Sequence, residues 1–191
     1  MVDICFIRIL NELIYFIFKI KDVRIILRGE NMEYFDVLDS NRKKRGYTKI
    51  RGEKLNENEY NVGVEIWIFN NNKLLLTQRS PQKSHPLMWE VPGGCSQTSE
   101  TSVQTLKREI KEEIGVNLND DFNLLDTQLR KQQFIDIYTT NQIIKIVTLQ
   151  KEEVSDYKFV TKDEFNKMIN DNEIVPAIID RYNMIKHYFS S

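Results

Sequence analysis

Cysteine and histidine are scarce in this chain, two of each among 191 residues. Cys5 and Cys95 stand far apart in a chain long enough to build a core without covalent staples. This speaks for free thiols and a reducing, cytoplasmic setting. With no Cys or His cluster, a zinc centre is argued against as well. Charge of one sign is also lacking: 27 Lys and Arg meet 28 Asp and Glu, a formal net charge of -1. That balance excludes broad nucleic-acid binding by phosphate neutralisation, although a nucleotide-sized ligand needs only a local positive patch or a bound cation. A long hydrophobic run is missing. The longest uninterrupted apolar stretch, residues 13–18, falls far short of the ~20 residues that span a bilayer, so no stable membrane span is expected.

The length suits one domain, read as residues 32–191. Residues 1–31 form an apolar extension interrupted by Arg8, Glu12, Lys19, Lys21, Asp22 and Arg24. It lacks the small-residue cleavage pattern of a secretory signal. Three readings stay open for it: packing against the main domain, a natural start at Met32 that excludes it, or contact with a membrane surface or partner.

Within the main domain, residues 30–59 are polar and read as largely irregular, with a short extended piece at 34–38. The basic run Arg42-Lys43-Lys44-Arg45 ends at Gly46 and reads as a solvated turn, with phosphate steering as the sharper alternative. Residues 62–69 and 73–78 are rich in strand formers and flank Asn70-Asn71-Asn72, which predicts a hairpin. Further strands are predicted at 134–139, 143–150 and 157–160. Thr161 and Glu164 cap a helix, and Pro176 suits the first turn of the last one.

The best-specified element is a helix over 102–114. Thr101 and Gln104 form a capping-box pair, and Gly115 supplies the left-handed residue that ends it. At 100° per residue, Val103, Leu106, Ile110 and Ile114 share one sector, predicted to face the sheet. Glu109, Glu112 and Glu113 fill the adjacent sector, with Glu113 nearest the apolar stripe. Crowded carboxylates repel, and a hard divalent cation relieves that repulsion because it seeks oxygen ligands. The plainer reading of such a run is a solvated acidic face.

The wider spacing adds weight to the metal. Gly94 is followed after five residues by Glu100, and after seven more by Arg108-Glu109-Ile110-Lys111-Glu112-Glu113-Ile114-Gly115-Val116. This pattern resembles the signature of the Nudix (MutT-like) hydrolase family, with every fixed and aliphatic position in agreement. The resemblance implies an α/β fold, a Nudix α/β/α sandwich with a mixed β-sheet, in which the box forms a loop–helix–loop. It implies divalent-metal-dependent hydrolysis of a phosphoanhydride bond in a nucleoside diphosphate linked to another moiety. Glu109, Glu112 and Glu113 would bind the metal, Mg2+ or else Mn2+, with the main chain at Gly94 close to it. Arg108 would pair with Glu100. Glu112 would be the general base, or else a loop glutamate, for which Glu153 is the candidate. Arg79, at the end of the second predicted strand, is a candidate for a substrate phosphate. The partner is a small-molecule diphosphate, and family habit adds a homodimer.

Residues 59–70 and 73–80 and Trp89-Glu90 are similar to the Nudix branch of isopentenyl-diphosphate isomerase. That enzyme needs a protonating cysteine where this chain has Gly93, and a metal-binding histidine where it has Asn61. Cys95 is displaced by two residues and is expected on the opposite side of an extended segment. Hydrolysis is therefore the main reading. Isomerisation of an allylic diphosphate and a non-catalytic nucleotide-sensing role are the alternatives. Phe134, Tyr138 and Trp89 are candidates for base stacking, weighed against core packing.

Overall fold

A computed structural model describes residues 32–190, and the readings made for residues 1–31 lie outside them. Strand β1 (Tyr34–Leu38) pairs antiparallel with β2 (Lys44–Ile50) as a small separate sheet. The principal sheet is built on β3 (Asn61–Asn70), β4 (Lys73–Arg79), β5 (Trp89–Glu90), β6 (Gly93–Cys95), β7 (Asn123–Arg130), β8 (Gln133–Thr140) and β9 (Val154–Val160). Its order is β5-β4-β3-β8-β7, with β6 paired to β3 and β9 paired to β4. Only β3 and β8 run parallel, so the sheet is mixed.

Strand β3 explains its own imperfect alternation, because both of its faces are covered. Val64, Ile66 and Ile68 pack with Leu106, Ile110 and Ile114 of helix α1 (Ser102–Ile114). Trp67 and Phe69 point the other way, into a core shared with helices α2 (Lys162–Asn170) and α3 (Pro176–Ile185) through Phe165, Met168, Ile178 and Ile185. The result is the expected α/β/α layering.

The ladder between β3 and β4 is confined to the hairpin end, at Phe69–Leu74 and Asn70–Lys73. Beyond it β3 takes β6 and β8 as partners, while β4 takes β5 and β9. The two strands thus part company towards Gly63 and Arg79, and a cavity lined by both of those residues opens there.

Both predicted capping boxes form, at Thr101 and Thr161, and Gly115 closes α1 at a φ of 70°. Three expectations need correction. Residues 143–150 form no strand, because Thr148 and Gln150 donate their N–H groups to the carbonyls of Ile114 and Glu113. This segment satisfies the end of α1 rather than extending the sheet. Val103 is exposed; the stripe begins with Thr105 and Leu106, since rotation fixes a direction but not whether a strand lies opposite. The basic run is not a simple solvated turn: Lys44 and Arg45 belong to β2, and Arg42, at a φ of 61°, grips both carboxylate oxygens of Asp136 at 2.8 and 2.9 Å. Residues 123–130, for which no element was predicted, form β7, whose exposed Leu124 and Leu129 mark it as an edge strand.

Candidate active site

The three glutamates of α1 sit in unequal surroundings. Glu109 and Glu113 are 5% and 2% exposed, whereas the Glu112 side chain is 49% exposed. Burial raises the Glu109 carboxyl above its ordinary value against the pull of Arg108. Burial likewise pushes Glu113 up to about 8, against the opposing charge of Lys83. Desolvation disfavours the charged form, and neighbouring carboxylates add to it. The helix therefore holds two carboxylates whose negative charge is poorly accommodated by the protein alone.

Arg108 organises the cluster. Its Nε and Nη2 donate to the two oxygens of Glu100 at 2.6 and 3.0 Å. Its Nη1 reaches Glu109 at 3.0 Å and Glu112 at 2.9 Å, and Nη2 also donates to the carbonyl of Cys95. Glu100 is held in turn by the Gln97 N–H and the Thr105 hydroxyl. Burial works to raise the Glu100 carboxyl, but Arg108 and these two donors bring it below its ordinary value. One guanidinium thus ties the loop after β6 to two consecutive turns of the helix.

Gly94 is packed against the same group. A Cβ built there would lie 2.1–2.3 Å from the Glu109 carboxylate atoms. Only a residue without a side chain lets this backbone approach so closely.

On the opposite side stands Lys83, from the loop after β4. Its Nζ lies 2.9 Å from Glu153 and 3.3 Å from Glu113. Glu153 is therefore brought to the glutamate helix, one lysine away from Glu113. Arg79 is brought there too, but with its guanidinium engaged by Glu90 at 2.6 Å and by Ser84. Arg79, Lys83, Glu90, Gly93 and Gly94 all line the cavity between β3 and β4, about 450 Å3 in volume.

The domain model described as NUDIX domain matches residues 59–181. The chain belongs to the Nudix family. An uncharacterised Nudix hydrolase of Listeria monocytogenes is 34% identical over 151 residues, covering 76% of this chain and 89% of that protein. A crystal structure from Deinococcus radiodurans superposes with a TM-score of 0.64 at 20% identity, over 75% of this chain and 92% of the other. The NUDIX domain of Shewanella oneidensis NrtR, complexed with ADP ribose, gives a TM-score of 0.56 at 20% identity, over 75% of this chain and 94% of the other. These two structures share the Nudix fold. The protein is a Nudix-type hydrolase of phosphoanhydrides in the general sense.

Among the described residues, no three His, Cys, Asp or Glu side chains converge to hold a metal ion as they stand. Arg108 holds Glu109 and Glu112 together, while Lys83 faces Glu113 from the other side. The donor set nonetheless fits a hard cation: carboxylate oxygens, two of them on desolvated side chains, beside a glycine backbone that leaves them room.

The isomerase comparison needs one correction. Residues two apart in a strand face the same side, so the displacement of Cys95 from Gly93 does not turn it away. Cys95 lines the cavity, its sulfur 3.3 Å from the Gln133 amide nitrogen. At Gly93 itself, a Cβ would lie 2.2 Å from the carbonyl oxygen of Val64, so no side chain fits on this backbone.

The base-stacking candidates are engaged elsewhere. Phe134 packs 5.4 Å from Tyr60, Tyr138 hydrogen-bonds Ser102, and Trp89 lies under the Lys158 ammonium. Sequence reasoning missed Lys83, Glu90 and the buried pair of Glu65 with Arg181, 3.2 Å apart. For that pair a signal existed: Glu65 interrupts the apolar run of β3, and Arg181 sits between Ile178 and Ile185 on a helix. Lys83 carried no comparable mark in its loop.

Proposed function

We propose that the protein is a divalent-metal-dependent hydrolase that cleaves a phosphoanhydride bond in a nucleoside diphosphate linked to another moiety, by attack of water on phosphorus. The observation that carries this reading is the buried pair Glu109 and Glu113 beside Gly94, with Glu112 exposed next to them. Two desolvated like charges on one helix face do not stabilise a fold. A cation with a preference for oxygen turns their repulsion into affinity, and Mg2+ suits a site that supplies few protein ligands and leaves room for water and phosphate. Mn2+ is the alternative ion. When bound, the ion supplies a Lewis acid that lowers the pKa of water and offsets charge on phosphoryl oxygens.

This chain's own residues do the remaining work. Glu109, Glu112 and Glu113, with the main chain at Gly94, would hold the ion. Arg108, anchored on Glu100, keeps Glu109 and Glu112 oriented. As the water oxygen bonds to phosphorus, Glu112 or Glu153 accepts one of its protons. The bridging P–O bond breaks, its electron pair leaves with the departing phosphate, and the second hydrogen stays on the new phosphate. Arg79, at the end of β4, and Lys83, in the loop after it, line the cavity and would meet phosphate oxygens of the substrate.

Glu112→Gln tests this reading. The exposed position predicts an unchanged fold, and loss of a general base predicts a fall in Mg2+-dependent formation of the two monophosphate products of about 100- to 10,000-fold. Unchanged turnover would sink the glutamate-helix mechanism. A second reading, isomerisation of an allylic diphosphate, gains from the Cys95 thiol in the cavity. Proton exchange into isopentenyl diphosphate without phosphate release would favour it; phosphate release is the result expected.

A further inference from the structure

Glu65 is the one charged residue in the apolar run 62–69, and it lies on the wall of the cavity adjoining Gly94. Gly63, two residues back on β3, faces the same side and lines the same cavity. A Cβ at Gly63 would press to 3.0 Å on the Gln133 amide, so this part of the wall carries no side chain to cover Glu65.

The hydrogen-bonding capacity of Glu65 is only half used. Glu65 is 7% exposed; its Oε1 accepts from the Trp67 indole at 3.2 Å, and its Oε2 meets the Arg181 Nη1 at 3.2 Å. A carboxylate offers about four acceptor sites, which leaves one on each oxygen. Arg181 lines the cavity as well and is 3% exposed. Its Nη1 is shared with the carbonyl of Ala177 at 2.6 Å, while its Nε–H has no acceptor among the described residues. A buried donor left unmet is costly, which suits it to an oxygen arriving with a ligand. Because Arg181 sits on the Oε2 side, the pair offers a donor, then an acceptor, then a second acceptor.

A complementary edge carries an acceptor followed by two donors. Guanine has that order in O6, N1–H and the N2 amino group. Hypoxanthine keeps the first two and lacks the amino group. Adenine turns its amino donor towards the guanidinium and a bare ring nitrogen towards the carboxylate, while uracil ends on a carbonyl. The cavity, about 450 Å3, has room for a base with its sugar. Two exposed lining residues, His85 and Arg130, add an imidazole and a guanidinium, flat groups on which bases stack.

We propose that Glu65 and Arg181 read the base of the nucleoside diphosphate and select guanine. The inference rests on the hydrolase reading for the fate of the ligand, but the selection is a property of binding and is measured apart from cleavage.

The experiment is calorimetric titration of the full chain with GMP, IMP and AMP, which contain no phosphoanhydride to cleave. GMP is expected to bind at least about tenfold more tightly than IMP, the effect of one hydrogen bond to a charged acceptor. It is expected to bind at least about 100-fold more tightly than AMP, which leaves the buried donor and acceptors unpaired. Glu65→Gln turns one acceptor into a donor and is expected to bring GMP and IMP to parity. Both nucleotides are titrated into the same sample, so partial unfolding of the variant lowers the amount bound of each and leaves their affinity ratio alone. If the variant does not fold, the order in the native chain decides. Equal binding of the three nucleotides, tighter binding of AMP, no binding of GMP, or a full GMP advantage retained in Glu65→Gln would each overturn the proposal. Cleavage of GDP-mannose and ADP-ribose with Mg2+ is read separately. A preference for GMP without cleavage of either probe would defeat the hydrolase reading and leave base selection standing. Cleavage of both probes with no preference in binding would do the reverse.

Discussion

Glu59 and Glu65 flank the start of the same strand, both are buried, and their carboxyl groups are shifted in opposite directions. Lys49 and the Asn56 N–H, helped by the Asn56 amide and the Tyr47 hydroxyl, hold Glu59 down at about 2. Glu65 has the Trp67 indole at 3.2 Å and Arg181 at 3.2 Å, too little to offset its burial, and is pushed up to about 7. The same contrast separates two regions. Around the β1–β2 hairpin, Asp136 is gripped by Arg42 and Thr127 and lies below its ordinary value, even though burial alone would raise it. Along the cavity and the glutamate helix, Glu65, Glu109 and Glu113 are buried with too few donors. Satisfied carboxylates fasten the fold; under-satisfied ones at a cleft are where chemistry is to be sought.

The largest effect should come from removing the under-satisfied charges together. Glu109→Gln combined with Glu113→Gln is expected to cut Mg2+-dependent turnover by more than about 100-fold, beyond the usual loss for an outer-shell partner. The melting temperature of the metal-free protein should hold or rise, because a repelling, desolvated pair has been neutralised. A clear drop in that melting temperature would mean that these carboxylates fasten the fold as Asp136 does.

Asp136→Asn should do the opposite. Losing charge-assisted bonds to Arg42 is expected to cost about 1–3 kcal/mol of stability, read by denaturant unfolding, with turnover per folded molecule retained. If turnover collapses while stability holds, the division between the two regions is wrong.

The smallest effect is one of slope. Glu59 titrates near 2 in the fold and near 4.5 otherwise, so its stabilising contribution is present above pH 4.5 and is lost as pH falls towards 2. For Glu65 the folded value is the higher one. Its contribution is present below pH 4.5 and is lost as pH rises through 7. Stability curves should show Glu59→Gln flattening the acid limb and Glu65→Gln flattening the decline between pH 4.5 and 7. Matching changes in both variants would erase the contrast.

Local rules carried much of the fold. Helix α1 was legible to its ends because its caps are side-chain chemistry within a few residues of each boundary. The strands with apolar alternation were legible as well. Strand β7 was not: its residues do not alternate apolar with polar, and its turn into β8 uses Lys131 at a φ of 54° rather than a glycine or asparagine. Strand β2 was hidden in a basic run. Residues 143–150 had a strand's composition, but their N–H groups were taken by the end of a helix.

By itself the sequence determined the hairpin of β3 and β4, the glutamate helix and its spacing from Gly94, because helical rotation and capping depend on near neighbours. Only the tertiary structure decided which glutamates are buried, that Arg108 joins Glu100, Glu109 and Glu112, and that Lys83 and Glu153 meet Glu113. It also decided that Trp89, Phe134 and Tyr138 are engaged with Lys158, Tyr60 and Ser102. Those outcomes depend on which strands part and which loops return, and burial and field at a carboxylate are set by residues distant in the chain.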